Sequence, residues 1–496
     1  MRFISIAAGV LSTCGILCAA EPSIAATLPS NFKPPQVFKH TNLVRNINLE
    51  KGYARESVNV VVENTDKKSQ SEYYISFPSA VFDSIGGFEV RNKQSPEKGS
   101  FPVTASRVEG DSALHYYKVT FPEPLAPSAQ ITLGTSYYIL GSLSPLPKAI
   151  EQVDQQFLVY NANAYAPSAY QTETQKTKVK FPSSNVPEYT TTSKLKSGSD
   201  PEKQGSSYTY GPYNKVGPEA SYPLTFRFEA TKPVLASSLL ERDLEVSHWG
   251  GNLAVEERYW LRNDGANLSK NFDRVDWARL SFNTHLPSPA LKELKYPLKP
   301  GSVDPYFTDD VGNVSTSRYR PGNPGREAHL ELKPRYPVFG GWKYSFRIGW
   351  NNALSSFLRK VGSDSYALKV PFIEGPKNPE GIQYDKVVVR VILPEGATDV
   401  RYELLDGKSP NGLPDASQFT ANITTHRTFL DTLGRAALTL TVDNLSDEAR
   451  DSQLVITYNY PFAAGLRKPI TITAGIFAVF VSAWFLGTLD VSIRKR

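Results

Sequence analysis

"LAVEERYWLR" occupies residues 253–262. Successive side chains of an extended chain point to opposite faces, so Leu253, Val255, Tyr259 and Leu261 share one side. Glu257 is the exception, a carboxylate on that apolar side. The period is two, which predicts a strand with one buried face. The same period recurs in "LTFRFE" (224–229), "KYSFRIGW" (343–350) and "LTLTVD" (438–443). "KVVVRVILP" (386–394) is more continuously apolar, as expected of a strand covered on both faces. Helical patterns are few and short: "PKAIEQVDQQF" (147–157), with Pro147 at its start, and "FDRVDWARL" (272–280). Composition agrees, since 26 Tyr, 25 Phe and 6 Trp suit strands while 37 Pro and 33 Gly suit turns. The expected fold class is mainly β: two tandem antiparallel β-sandwich-like domains, not βαβ units, followed by one C-terminal transmembrane helix.

The 496 residues exceed one ordinary domain. The clearest break is "TTTSKLKSGSDPEKQGSSYTYGPYNKVGP" (190–218), rich in Ser, Gly, Lys and Pro, which reads as a mobile loop or linker. With the boundary placed just after strand 224–229, the expected divisions are a signal peptide at 1–25, a first β-rich domain at 26–234 and a second at 235–466. A transmembrane helix at 467–489 and a tail at 490–496 complete the chain. No fixed-period repeat is visible.

The two ends set the topology. Met1-Arg2 followed by "FISIAAGVLSTCGILCAA" has the basic start and apolar run of a secretory signal peptide, with small residues at Ala20, Ser23 and Ala25 for cleavage. The alternative is an uncleaved anchor. "ITITAGIFAVFVSAWFLGTL" (470–489) carries no charge and is long enough to cross a bilayer core of about 30 Å. A buried core helix and a glycolipid attachment signal are the alternatives. The closing Arg494, Lys495 and Arg496 argue for a stop-transfer helix, because an attachment signal ends on its apolar tail. Arg467 and Lys468 make the other flank basic too, so the signal peptide sets the orientation: ectodomain in the lumen, one span, tail in the cytosol.

The only cysteines are Cys14 and Cys18, inside the signal segment. A large ectodomain can rely on ordinary cores without disulfides. The net charge of +6 is spread out, with no basic patch interleaved with stacking aromatics, so no nucleic-acid partner is expected.

Motifs for zinc hydrolysis, serine hydrolysis, phosphate binding and dinucleotide binding do not occur, and no catalytic, metal or cofactor site is expected. Glu245 and His248 in "EVSHWGGNLAVEE" invite an acid–base or metal reading. Their i, i+3 spacing places them on opposite faces of a strand. The plainer reading is a strand–turn–strand, with Trp249 packed and Gly250-Gly251 turning the chain. Asp309 and Asp310 in "TDDVGNVSTSRYR" (308–320) are adjacent and diverge in extended chain, so a turn is the plainer reading there as well. The positive signal is four N-x-[ST] glycan acceptor patterns at Asn267, Asn313, Asn422 and Asn444.

Six stretches, in this order, carry a family resemblance: "EVSHWGGNLAVEE", "DDVGNVSTSRYR", "PRYPVFGGWKYSFRIGW", "YALKVPFIEGP", "VVVRVILPEGA" and "TFLDTLGR". "NANAYAPSAYQTETQKTKVKFPSSNVPEYT" (161–190) and "YGPYNKV" (210–216) extend it more loosely into the first half. Together they resemble the ribophorin I family, the α subunits of the endoplasmic-reticulum oligosaccharyltransferase complex, over about residues 40–490.

The resemblance implies a non-catalytic, scaffolding subunit without a cofactor. The complex moves a lipid-linked oligosaccharide en bloc to Asn of nascent polypeptides, and the transfer belongs to a separate multispanning subunit with a W-W-D motif. No Trp-Trp pair occurs here. Implied partners are that catalytic subunit, the other subunits, nascent polypeptides and the lipid bilayer. Gly475, Ala478, Ser482 and Ala483 would let the span pack closely on neighbouring helices, or would simply face lipid. Tyr165, Tyr170 and Tyr213 are candidates for steering acceptor proteins, against the plainer reading that they pack. The short tail matches fungal members and places ribosome docking through a folded tail in doubt. The rival functions are an independent type I membrane adhesion or binding protein, and a hydrolase whose site forms only in three dimensions.

Overall fold

The computed structural model describes residues 26–488, apart from 96–98, 193–194, 196–200, 284–286, 324, 406–417 and 430. The expected signal segment 1–25 and tail 490–496 lie outside the described residues. The described chain is mainly β and ends in one long helix.

Three sheets build the N-terminal half. The largest has seven strands, in the order Glu202–Gln204, Ser207–Val216, Thr172–Lys180, Phe38–Asn48, Ala54–Asn64, Gln130–Ile139, Ile85–Asn92. Along strand Ala54–Asn64 burial alternates strictly, so one face is covered and the other is half-exposed. Two four-stranded sheets share the covered face. One, containing Gln70–Pro78 and Leu114–Leu125, packs through Tyr73, Phe77 and Tyr117 onto Leu43, Val60 and Leu133. The other, containing Phe157–Asn163 and Pro223–Glu229, packs through Tyr160, Phe226 and Phe228 onto Ile47, Val179 and Tyr210.

The C-terminal half repeats this wiring. Its large sheet runs Thr420–His426, Arg435–Ser446, Gln383–Glu395, Leu235–Ser247, Asn252–Asn263, Lys343–Ala353, Val303–Asp309, and adds Gly312–Asn313 at the edge. In each large sheet the first strand of the opening hairpin pairs in parallel with a later strand: Phe38–Asn48 with Thr172–Lys180, and Leu235–Ser247 with Gln383–Glu395. The sheets are therefore antiparallel except for that one pair in each. The smaller sheets correspond as well: strands Leu143–Pro145, Phe157–Asn163, Pro223–Glu229 and Glu188–Tyr189 are ordered as are Leu358–Lys360, Ser365–Pro371, Gln453–Asn459 and Thr398–Leu405. The sequence showed no repeat; the strand order does.

A buried ion pair sits on the inner face of each large sheet. Arg45 bridges both carboxylate oxygens of Glu56 at 2.9 and 2.7 Å. Glu56 also accepts from the hydroxyls of Tyr137 and Tyr160, one from each of the two cores that flank it. In the second half Arg242 donates to Glu257 at 2.5 Å and to Glu374 at 3.0 Å, and the Tyr259 hydroxyl donates to Glu257 at 2.6 Å. This is the account of Glu257, the carboxylate on the apolar side of its strand.

Two sequence expectations fail here. Residues 147–157 form no helix: Ala149–Ile150 pairs in parallel with Asn267–Leu268 of the other half, and burial of Ile150 there outweighs local helix propensity. Much of 190–218 is not a linker, because Ser207–Val216 is a ten-residue strand that buries Tyr208, Tyr210 and Tyr213. The second helical pattern does form a helix, Arg274–Asn283.

The halves are bonded to each other. Gly52 N donates to Glu380 O at 2.8 Å, and Gln383 both donates to Gly52 O and accepts from Gly141 N. Asp447 accepts from Lys51 Nζ and from the Tyr53 hydroxyl, each at 2.7 Å. Gly86 is required at this contact, since a Cβ would overlap the Asn444 carbonyl oxygen and the Tyr138 ring.

Candidate functional site

The chain leaves the second half through strand Gln453–Asn459, turns at Pro461 into the short helix Phe462–Gly465, and enters helix Arg467–Thr488. That helix has 22 residues, is strongly apolar and has no buried side chain. At 1.5 Å per residue it is about 33 Å long, enough for a bilayer core. It matches the expected span to within a residue. Gly475, Ala478, Ser482 and Ala483 are all exposed on it.

The helix is clamped to the fold rather than tethered. Lys468 Nζ lies 3.0 Å from Asp431 Oδ1, and Asp431 Oδ2 accepts from the Thr428 amide and hydroxyl at 2.8 Å. Burial alone would push the Asp431 carboxyl up, but Lys468 and Thr428 outweigh it and hold it at about 2. Beside this clamp Gly396 has φ +94° and lies against Ala464, which leaves no room for a side chain. Sequence reasoning missed this clamp. Thirty-odd residues separate its partners, and no spacing rule joins them.

The residues that invited a catalytic reading are bound in structural roles. Glu245 pairs with Arg435 at 2.5 Å. His248 lies at the tip of the hairpin joining Leu235–Ser247 to Asn252–Asn263, with Nε2 at 2.7 Å from the Tyr458 hydroxyl and its ring against Tyr366 and Tyr460. Half-burial pushes its imidazole pKa down. Glu245 and His248 do not meet, and among the described residues no group of three or more His, Cys, Asp or Glu could hold a metal ion. The expectation that Trp249 packs is wrong; it is 77% exposed, because the two glycines after it project the turn into solvent.

Asp309 is a turn residue. Its Oδ1 accepts from the amides of Val311 and Gly312 at 3.0 and 3.1 Å, and its Oδ2 accepts from Arg335 and from Tyr344. Burial favours the protonated form, yet these donors prevail and hold the carboxyl below the usual range. Arg335 also caps the carbonyls of Gly312 and Asn313. Asp310 is exposed at the turn.

The four sequon asparagines are dispersed. Asn313 is exposed on the two-residue strand Gly312–Asn313. Asn422 is exposed on edge strand Thr420–His426. Asn267 is exposed beside the seam between the halves, where its amide N donates to Lys148 O and its side chain lies against Gly341. Asn444 is half-buried in that seam, its side-chain amide donating to Asp83 O at 2.6 Å. Of the tyrosines proposed to steer acceptors, Tyr170 and Tyr213 are buried and Tyr165 is half-buried against Tyr213, which makes them packing residues.

An apolar helix long enough to cross a bilayer core, clamped to a twice-wired β fold, by itself names no activity. Comparison with known proteins decides the family: the ribophorin I profile matches residues 38–487, through both halves and into the helix. The chain belongs to the ribophorin I family. Dolichyl-diphosphooligosaccharide–protein glycosyltransferase subunit 1 of Schizosaccharomyces pombe is 28% identical over 458 residues, covering 91% of this chain and 95% of the relative. Subunit 1B of Arabidopsis thaliana is 28% identical, covering 94% and 96%. Subunit 1 of Caenorhabditis elegans is 30% identical, covering 92% of this chain and 73% of the relative. Among solved structures, leukotriene A4 hydrolase of Saccharomyces cerevisiae is 7% identical over 45% of this chain and 29% of that one, with a TM-score of 0.25, and carries no argument.

Proposed function

We propose that this ribophorin I family member is a non-catalytic scaffolding subunit of an oligosaccharyltransferase, the complex that transfers a lipid-linked oligosaccharide to Asn of N-x-S/T sequons in nascent polypeptides. The observation that carries this reading is the family match across residues 38–487, together with relatives named as subunit 1 of that transferase. The non-catalytic role rests on the family resemblance and on the bonds that occupy Glu245, His248 and Asp309. The chain sits in the endoplasmic-reticulum membrane through helix Arg467–Thr488, with two lumenal domains, 26–234 and 235–466, and its C-terminus in the cytosol. Its partners are the multispanning catalytic subunit and the other subunits, met partly through the small residues of the span.

The test is a mild-detergent pull-down of the tagged chain followed by mass spectrometry. A multispanning transferase subunit is expected among the proteins recovered at stoichiometric yield. Recovery of the chain alone would favour the independent adhesion protein.

A further inference from the structure

One end of the C-terminal half gathers the membrane helix and several turns. Strand register places them there. Ser247 pairs with Asn252 across the His248 hairpin, Glu395 pairs with Arg435, and Asn459 pairs with both Thr398 and Ser365. All of these are strand ends on the side where Pro461 leads into the helix. The contacts of His248 with Tyr366, Tyr458 and Tyr460 tie the hairpin to that exit, and Asp431 ties the 427–434 loop to Lys468.

This end exposes large apolar side chains among its polar ones. Phe429 is 99% exposed, Phe462 80% and Trp249 77%, with Val361, Leu433 and Leu466 exposed beside them. Outside the helix, Trp249, Phe429 and Phe462 are the exposed tryptophan and phenylalanine residues among the described residues. Other exposed apolar side chains, such as Val275 and Val311, are scattered and none is Trp or Phe. Large aromatic rings at the level where a span enters its leaflet are what the bilayer interface accommodates.

We propose that this end lies on the bilayer, with Trp249, Phe429, Leu433 and Phe462 entering the interfacial layer of the leaflet around the helix. The occupant is the lipid surface itself, because the patch is continuous with a helix that no part of the fold covers. The proposal rests on the reading of that helix as a span. Its consequence is orientation. The C-terminal half stands upright on the membrane, and the N-terminal half is bonded to its opposite end, where Gln383 and Asp447 lie. Strand Leu235–Ser247 has 13 residues. At about 3.3 Å each, the N-terminal half is held roughly 40 Å above the leaflet, at a fixed height and without swing.

The test uses the full chain with Cys14→Ser and Cys18→Ser, which leaves no cysteine. Trp249→Cys, Phe429→Cys and Phe462→Cys are each labelled with an environment-sensitive fluorophore in phosphatidylcholine nanodiscs containing a phospholipid with a shallow nitroxide, or with a mid-chain nitroxide for the helix control. Ile476→Cys in the helix and Asp111→Cys in the N-terminal half are the controls. Loss of fluorescence at 249, 429, 462 and 476, with none at 111, is the expected result. Loss at 476 alone overturns the proposal and leaves the span intact. No loss at 476 overturns the span and the proposal with it. Sites unquenched by lipid but shielded from a water-soluble quencher in the isolated complex would assign the surface to a protein partner and overturn it too. Because Phe429 and Trp249 project into solvent, these replacements do not threaten the fold.

Discussion

The side-chain amide of Asn444 donates to the backbone carbonyl of Asp83 at 2.6 Å, across 361 residues of sequence. Asn444 has φ +56°, a left-handed conformation that Asn tolerates better than most residues. Two residues on, the Ser446 amide donates to the Tyr138 hydroxyl. A sequon asparagine thus fastens the two halves. Asn444→Ala is expected to lower stability by about 2 kcal/mol, from a lost hydrogen bond of about 1 and left-handed strain of about 1. Asn444→Gly keeps the backbone unstrained and should cost less. Urea unfolding of the two variants checks the order.

Gly86→Ala tests the same seam by one methyl group. The overlap is with a backbone carbonyl and a buried ring, neither of which can move cheaply. The seam is expected to loosen, so limited proteolysis should cut faster near 230–234 than in the wild type. An unchanged cleavage rate would show that the halves need not touch there.

Arg242 is buried with Glu257 and Glu374, so removing it strands two carboxylates. Arg242→Met should cost about 3–5 kcal/mol. Removing one of the two stranded charges with Glu257→Gln in the same chain should recover part of that loss. Lys39→Met, which breaks the exposed pair with Glu173, should leave stability nearly unchanged. Chemical denaturation separates the two cases.

His40 gives the N-terminal half a pH dependence. Burial pushes its imidazole down to about 3, against 6.5 for an ordinary histidine. Between those values the unfolded chain binds a proton that the folded chain refuses, so stability is full above about pH 6.5 and declines as pH falls toward 3. His40→Gln should flatten that slope. Denaturation midpoints at neutral and mildly acidic pH, wild type against variant, measure it.

Glycan occupancy is expected at Asn313 and Asn422, whose side chains are exposed on edge strands of the second half. Asn444 is expected unmodified, because a glycan on its amide nitrogen would hold the halves apart. Peptide mapping with and without glycosidase reads all four sites. A fully modified Asn444 in folded protein would contradict the seam geometry.

The strands were legible because period-two burial is a local property. "LAVEERYWLR" and "KYSFRIGW" became neighbouring strands in register, with Tyr259 opposite Phe346. The reading failed where distant partners override local preference. Residues 147–157 gave up a helix for a two-residue pairing with Asn267–Leu268, and Ser207–Val216 became a core strand through three tyrosines spaced within a polar stretch. Trp249 went the other way, out of the core that its size predicted.

By itself the sequence determined the β class, the apolar span and the family, because alternation, an uncharged run of residues and long matching stretches are written in consecutive positions. Only the tertiary structure decided that the two halves share one strand order, that Asn444 is a fastener, and that Asp431 grips Lys468 at the mouth of the helix. Each of these joins residues far apart in the chain, where pairing follows from backbone hydrogen bonds and burial rather than from spacing. Glu257 marks the boundary between the two. The sequence showed a carboxylate on the wrong face of its strand, and the fold supplied the arginine that makes it the right one.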